Sequence, residues 1–346
     1  MWTFENDVKV LVSDNDIPSK DMDVFYNKAM VHNRNISLAV MSYLKPFRIG
    51  LPLAGSGVRA FRAFLENKNS LANSRFILND VRQDFISDMH ATLRENDLEK
   101  NRENFEFYST EANIFLLQRK PFDYIDVDPF GSPVPFLMTA IRSLRISGFL
   151  SVTATDTGAL CGSYEGACMR RYWARPSKSW SSKEIGLRIL IRRVLLEGLS
   201  QGVVLSPVIS YVKDHYFRVF FRSVHSKQGA NKGFRNLSNG SNIGPYYTGL
   251  LQDNSFLQSV LDSMDDSLKE HKFLQNLMNE NYESVGYLDL HRFASDNKLN
   301  KVPSLDEVRK VLENKGVQSF RTHFTRVGLK CDAPMHDVEN IIRQSF

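Results

Sequence analysis

Between Phe47 and about Phe220, short strand-like runs alternate with helix-like ones, and this alternation limits the possible folds more than any other feature of the chain. Strands that each hand over to a helix must return in the same direction, so the pattern predicts a mainly parallel, doubly wound α/β sheet with helices on both faces. The first strand is short and ends in Leu51-Pro52-Leu53-Ala54-Gly55-Ser56-Gly57, before a helix from Val58 to Asn67. Phe76-Ile77-Leu78 reads as a second strand stopping at Asn79-Asp80, with a helix from about Gln83 to Asn96 behind it. Phe105 to Tyr108 supplies a third strand, the run ending at Asp128 a fourth, and Gly148 to Thr155 a fifth that stops at Asp156. Helices are expected over Pro135 to Leu144 and Glu184 to Leu199, and Val203 to Val212 with Phe217 to Ser223 reads as an antiparallel pair at the sheet edge.

Open α/β sheets bind ligands at the carboxyl ends of their strands, so the residues at those ends are the first functional candidates. The fourth strand ends in Asp128-Pro129-Phe130-Gly131. Proline cannot donate to a continuing ladder, so the backbone turns there and presents a carboxylate, a backbone carbonyl and an aromatic face in succession. Such a set can accept hydrogen bonds from a planar amino group and stack on its ring; Asp-Pro is also a common turn initiator, which is the plainer reading. Gly55 and Gly57 allow a backbone to approach a ligand closely, and Asp80 follows about 25 residues later, near the spacing at which an acid reaches ribose hydroxyls. The third-strand exit Ser109-Thr110-Glu111-Ala112-Asn113 offers a polar contact to an adenine edge or is an exposed loop. A full Gly-x-Gly-x-x-Gly is missing, which favours a nucleoside cofactor without a pyrophosphate over a dinucleotide.

The remaining features set limits. With 346 residues and 42% hydrophobic content the chain is expected to hold two domains. No apolar run approaches the roughly 18 residues of a membrane span, and the amino terminus lacks a signal peptide's basic and apolar regions, so a cytoplasmic protein with no membrane partner is expected. Cys161, Cys168 and Cys331 have no Cys-x-x-Cys spacing, which argues against disulfides and a zinc ribbon; no metal is expected. The net charge of +5 matters only if the basic residues share a face. Residues 226–242, rich in Gly, Asn, Ser and Lys, read as a linker or mobile loop. They would divide a first domain, 1–225 with an amino-terminal extension, from a second, 243–346. In the second, helical spacing through Gly249 to Met278, a helix near Leu288 to Asn297, the capping box Ser304-Leu305-Asp306-Glu307 and a strand through Val317 to Phe324 indicate a small α+β unit, for which a winged helix is one arrangement.

The chain resembles the tRNA (guanine-26 N2) dimethyltransferases in their compact archaeal-type form. The resemblance runs through Val24-Phe25-Tyr26-Asn27, His32-Asn33-Arg34-Asn35-Ile36, Ser56-Gly57-Val58-Arg59, Leu78-Asn79-Asp80, Asp126 to Pro133, Val152 to Asp156, Leu160-Cys161-Gly162, Glu184 to Leu190, Asp214-His215-Tyr216-Phe217-Arg218, Gly244-Pro245 and Arg321-Thr322-His323-Phe324. It covers roughly Val24 to Pro334 and is weakest between Ser223 and Leu288. The resemblance implies a class I (Rossmann-like) S-adenosylmethionine-dependent methyltransferase domain with a smaller α+β C-terminal domain. It also implies cofactor contacts at Arg34, Arg59, Asp80 and Glu111-Ala112, and a catalytic role for Asp128 with Pro129 and Phe130. Arg34 and Arg59 suit a methionine carboxylate or the ordering of nearby acids; structural ion pairs are the alternative. Leu51 stands where relatives often carry an acid, and Glu111 where aspartate is usual.

With tRNA as partner, the target guanine must leave its stack, and Phe25 and Tyr26 either help hold it or simply pack. Phosphate contacts are expected among Arg170, Arg171, Arg192, Arg193, Lys213, His215, Arg218, Arg321, His323 and Lys330. His215 and Arg218 are the substrate-side residues singled out, and the oligomeric state is left open with a monomer favoured.

Overall fold

The computed structural model describes residues 1–13, 24, 26–236 and 244–346. An antiparallel hairpin, β1 (Trp2–Glu5) and β2 (Val8–Leu11), opens the chain and places Val8 and Val10 in the core. The central sheet is built from β3 (Arg48–Leu51), β4 (Arg75–Asp80), β5 (Phe105–Ser109), β6 (Phe122–Val127), β7 (Leu144–Ala154), β8 (Val203–Lys213) and β9 (Tyr216–His225). Their order is β5-β4-β3-β6-β7-β9-β8, parallel as far as β7, with β9 inserted antiparallel between β7 and β8. The order reverses between β3 and β6, which makes their carboxyl ends the switch point of the sheet.

Burial on both faces explains why the parallel strands read as continuous apolar runs: Phe76, Ile77, Leu78, Tyr124, Ile125 and Val127 are all inaccessible. The face carrying Tyr124 is covered by the helix Val31–Leu44, which buries Asn33, Arg34 and Ser37 along with Ile36, Leu38, Val40 and Met41. Its weak apolar stripe hides it from a periodicity reading, because three of the buried positions are polar. The opposite face packs the helices Val134–Arg142 and Ser182–Ser200.

Strand β8 lies at the edge of the sheet, and outward backbone groups at Val208, Ser210 and Val212 find partners. Asp253 N donates to Val208 O at 3.0 Å, and the Gln252 amide accepts from Ser210 N at 2.9 Å and donates to Ser210 O at 2.7 Å, mimicking a neighbouring strand. Val212 N donates to His323 Nε2 at 3.1 Å, so the ring of His323 finishes the edge.

Residues 227–236, expected to lie within a linker, form the helix Lys227–Asn236, with Ala230 buried; residues 237–243 lie outside the described ones. The helices Asn254–Asp262 and Lys269–Asn279 send Phe256, Leu257, Val260, Leu261, Leu274 and Leu277 into the same core as β3 and β4. The apolar packing therefore runs across the expected division at 243, and a separate small core begins at Leu288. That second unit has a three-stranded sheet in the order β10 (Leu288–Asp289), β12 (Gly328–Cys331), β11 (Ser319–Arg321). The helices Leu290–Asp296, Leu305–Asn314 and Met335–Arg343 pack against it through Leu290, Phe293, Val308, Leu312, Val338 and Ile342. Ser304 and Glu307 form both hydrogen bonds of the capping box, and the chain leaves the helix through Gly316 at φ 76°. Lys330 ties the two units together: its buried Nζ donates to Glu184 at 2.6 Å and to the carbonyls of Ser284 and Gly286 at 2.6 and 2.8 Å.

Candidate active site

A cavity of about 480 Å³ opens at the carboxyl ends of β3 and β6. One side chain of β4, Asn79, ties three strand exits together. Its Nδ2 donates to Pro52 O and Thr110 O, both at 3.0 Å, and its Oδ1 accepts from Thr110 N at 3.1 Å. Asp80, one residue on, accepts from Gly55 N at 3.0 Å and from Arg82 N at 3.2 Å, and so shapes the loop that lines the cavity floor. Gly57 precedes the helix Val58–Glu66 at φ 72°, where an added Cβ would meet Met89 Sδ at 2.6 Å.

The Asp128 turn leaves β6 on the rim of this cavity. Gly131, at φ 93°, donates its N–H to Thr155 Oγ1 at 2.6 Å and accepts from Thr155 N at 2.9 Å, which fastens the turn to the end of β7. Pro129 is buried and the ring of Phe130 is 58% exposed, so the turn offers an aromatic face at the cavity mouth.

Behind Asp128 lies a buried array of charge that alternates in sign. Arg59 donates through Nη2 to Asp128 Oδ2, and its Nη1 reaches Asn33 Oδ1 at 3.0 Å and Ser37 Oγ at 2.6 Å. Asp126 is one pleat before Asp128 on the same strand face. Arg218 grips it with a bidentate pair at 2.8 and 2.7 Å, while Arg59 Nη1 stands 3.4 Å from it. Arg218 is on β9 opposite Thr153 of β7 and reaches across that strand to β6. Burial alone would raise the Asp126 carboxyl, but Arg218 and Arg59 outweigh it and hold it below the usual carboxylate range.

The expected site residues divide into two groups. Tyr26, Arg34, Gly55, Arg59, Asp128, Pro129, Phe130 and His215 line one cavity. Asp80, Gly57, Glu111 and Ala112 do not line it: Asp80 shapes its loop, and Glu111 caps the helix Ala112–Arg119 by accepting from Asn113 N at 2.8 Å and Ile114 N at 3.0 Å. Phe25 lies outside the described residues. Arg34 lines the cavity, but its guanidinium is paired with Glu5, which also takes Arg62 Nη1 at 2.6 Å and Tyr26 Oη at 2.9 Å. Burial first, and then the neighbouring Glu5, push the Tyr26 hydroxyl up to about 12.

Arg218 is a correction. Expected to meet substrate, it is fully buried and committed to Asp126, so it cannot reach a phosphate. Arg192, Arg193, His323 and Lys330 are likewise too enclosed for that role, whereas Arg170, Arg171, His215 and Arg321 are exposed. The residues that sequence reasoning missed are Ser37 and Asp126 as parts of the charge array. The signal for Asp126 was its position two residues before Asp128, which puts both carboxylates on one strand face.

A family profile described as N2,N2-dimethylguanosine tRNA methyltransferase matches residues 6–240 and 231–343. A Thermococcus kodakarensis protein described as tRNA (guanine(26)-N(2))-dimethyltransferase is 34% identical over 361 residues, covering 93% of this chain and 94% of the relative. A Methanococcus maripaludis protein of the same description is 32% identical over 370 residues, covering 98% and 97%. Among solved structures, Trm1 from Pyrococcus horikoshii in complex with S-adenosyl-L-methionine superposes with a TM-score of 0.83 at 26% identity over 99% of both chains. The chain therefore belongs to the N2,N2-dimethylguanosine tRNA methyltransferase family.

Proposed function

We propose that the chain methylates the exocyclic N2 amine of guanine 26 in tRNA, giving N2-methyl- and N2,N2-dimethylguanosine, with S-adenosylmethionine as donor and Asp128 as the group that orients the amine and takes its proton. The observation that carries this reading is the Asp128-Pro129-Phe130-Gly131 turn on the rim of a cavity at the sheet's switch point, in a chain of this family. The residues fit the donor. Leu51, Leu53, Val58 and Met30 supply apolar wall, Gly55 supplies close backbone approach at φ 57°, and Arg59 and Arg34 stand where a carboxylate can be met. Asp80 has lone pairs beyond its bonds to Gly55 and Arg82 for ribose hydroxyls, and Ala112 begins the helix that follows the exit of β5. When bound, the sulfonium supplies an electrophilic methyl and departs as a neutral thioether.

The chain's own residues do the rest. The lone pair of a guanine amine is delocalised into its ring, so the amine must be held in line with the methyl, and positioning of this kind supplies much of an enzyme's acceleration. Asp128 accepts one N–H, the Pro129 carbonyl accepts the other, and the exposed Phe130 ring flanks the base. A neutral amine is a poor acid, whereas the methylated cation is a strong one, so the proton leaves N2 for an Asp128 oxygen after the methyl arrives. The side chain of Asp128 is 21% exposed, which gives that proton a path to solvent. Extraction of the base from its stack costs roughly a few kcal/mol, repaid by contacts at the cavity mouth from Phe130, Tyr26 and His215. Exposed Arg170, Arg171 and Arg321 are the phosphate-binding candidates left after burial is considered.

The test is to incubate the protein with tRNA transcript and methyl-labelled donor and then to identify the modified nucleoside. Label in N2-methylated guanosine that disappears from a transcript bearing adenosine at position 26 is expected. Label in adenosine, or label that survives that change, would overturn the assignment.

A further inference from the structure

We propose that Ser37 is a positioning residue for methyl transfer, holding Arg59 so that its second nitrogen aims the Asp128 carboxylate. The proposal rests on the reading of Asp128 given above. Ser37 is fully buried on the helix Val31–Leu44, beneath the ends of β6, β7 and β9. Its hydroxyl accepts from Arg59 Nη1 at 2.6 Å and from Arg218 Nη2 at 2.7 Å, and donates to Asn33 O at 2.8 Å. A hydroxyl has two acceptor sites and one donor, so all of its capacity is used. It is the neutral atom that lets two buried guanidinium groups sit side by side. Arg218 cannot move, because it is clamped to Asp126 and also donates to Thr153 Oγ1 at 2.6 Å. Ser37 passes that fixed position on to Arg59, whose plane is thereby set, and a set guanidinium plane sets the direction of its fork.

Loss of the Ser37 hydroxyl leaves Arg59 held at Nη1 only by Asn33 and by Asp126 at 3.4 Å. The Arg59 fork can then rotate, and Asp128 with it. The loss should fall on the chemical step, since a misaimed acceptor costs alignment while the phosphate contacts that hold tRNA are elsewhere.

The experiment is a double-mutant cycle read by single-turnover methyl transfer, with tRNA and S-adenosylmethionine dissociation constants measured on each variant. Ser37→Ala is expected to slow transfer about tenfold, while both dissociation constants stay within about twofold. In an Asp128→Asn background, the same change should cost less than about twofold, because the carboxylate it aims is gone. Should Ser37→Ala lose cofactor binding through misfolding, Ser37→Cys keeps the volume with a weak acceptor, and the same rate loss is expected of it. An equal loss on both backgrounds, or a wild-type rate for a folded Ser37 variant alongside a slow Asp128→Asn, overturns the positioning role alone. A wild-type rate for Asp128→Asn removes the reading of Asp128, and this proposal with it.

Discussion

Arg218→Met should be among the most damaging single substitutions away from the cavity surface. The change removes a fully buried guanidinium that holds Asp126 through two hydrogen bonds and also donates to Thr153 and Ser37, and it leaves the carboxylate in place. Methionine approximates the volume, so the expected loss comes from charge rather than from a cavity. Removing one partner of a buried ion pair costs about 3–5 kcal/mol; Arg59, 3.4 Å from Asp126, compensates only in part. With an unfolding entropy of about 2.1 cal/mol/K per residue, a chain of 346 residues has about 0.7 kcal/mol/K, so Tm should fall by about 4–7 °C at neutral pH. The pH dependence has a definite sign. The folded Asp126 carboxyl is held below its ordinary 3.8, so its stabilising contribution is present above that value and is lost as pH falls through the lower folded value. In the variant, burial acts without Arg218, the carboxyl rises, and it takes up a proton at higher pH than in the parent. The deficit should therefore be largest near neutrality and shrink as pH falls toward about 4. Differential scanning calorimetry of both proteins across that range measures it. A variant as stable as the parent at neutral pH, or a deficit that grows on acidification, would refute the reasoning.

Other expectations follow from single contacts. Gly57→Ala places a Cβ 2.6 Å from Met89 Sδ at a φ of 72°, and should lower stability by about 2 kcal/mol and weaken cofactor binding, measured by denaturation and titration calorimetry. Ser304→Ala removes the capping-box bond that Ser304 Oγ accepts from Glu307 N, leaves the one from the residue 304 N–H to Glu307 Oε2, and should cost about 1 kcal/mol, seen as faster amide exchange over the helix Leu305–Asn314. The hydrogen bond from His32 is the main cause holding Glu270 down at about 2, so its contribution is present above 4.5 and is lost as pH falls toward 2; Glu270→Gln should flatten that part of the stability profile in acid titrations.

The strands and their ends were legible because burial on both faces leaves apolar runs and a parallel strand must stop where its ligand-facing turn begins. Asp80, Asp128 and Asp156 each mark such an end, and Gly55 and Gly57 carry the positive φ that the first turn requires. The hairpin Trp2–Leu11 was also within reach, since Val8 and Val10 alternate with polar residues. The charge array was not. Arg218 and Asp126 are 92 residues apart, and nothing local distinguishes an arginine on a buried face from one that meets RNA; the antiparallel insertion of β9 beside β7 brings them together. The apolar packing that runs across residue 243 was hidden for a related reason. A polar stretch at 226–242 looks like a linker, yet the apolar stripes of the helices Asn254–Asp262 and Lys269–Asn279 fill the core of the preceding sheet, and a stripe does not say which core it fills.

The central claim is that the Asp128 carboxylate meets the amine. Single-turnover transfer by Asp128→Ala, with tRNA and S-adenosylmethionine binding measured on the same protein, tests it most directly. Transfer should fall by at least about a hundredfold with both affinities within a few-fold of the parent, and transfer at the parent's rate would contradict the account.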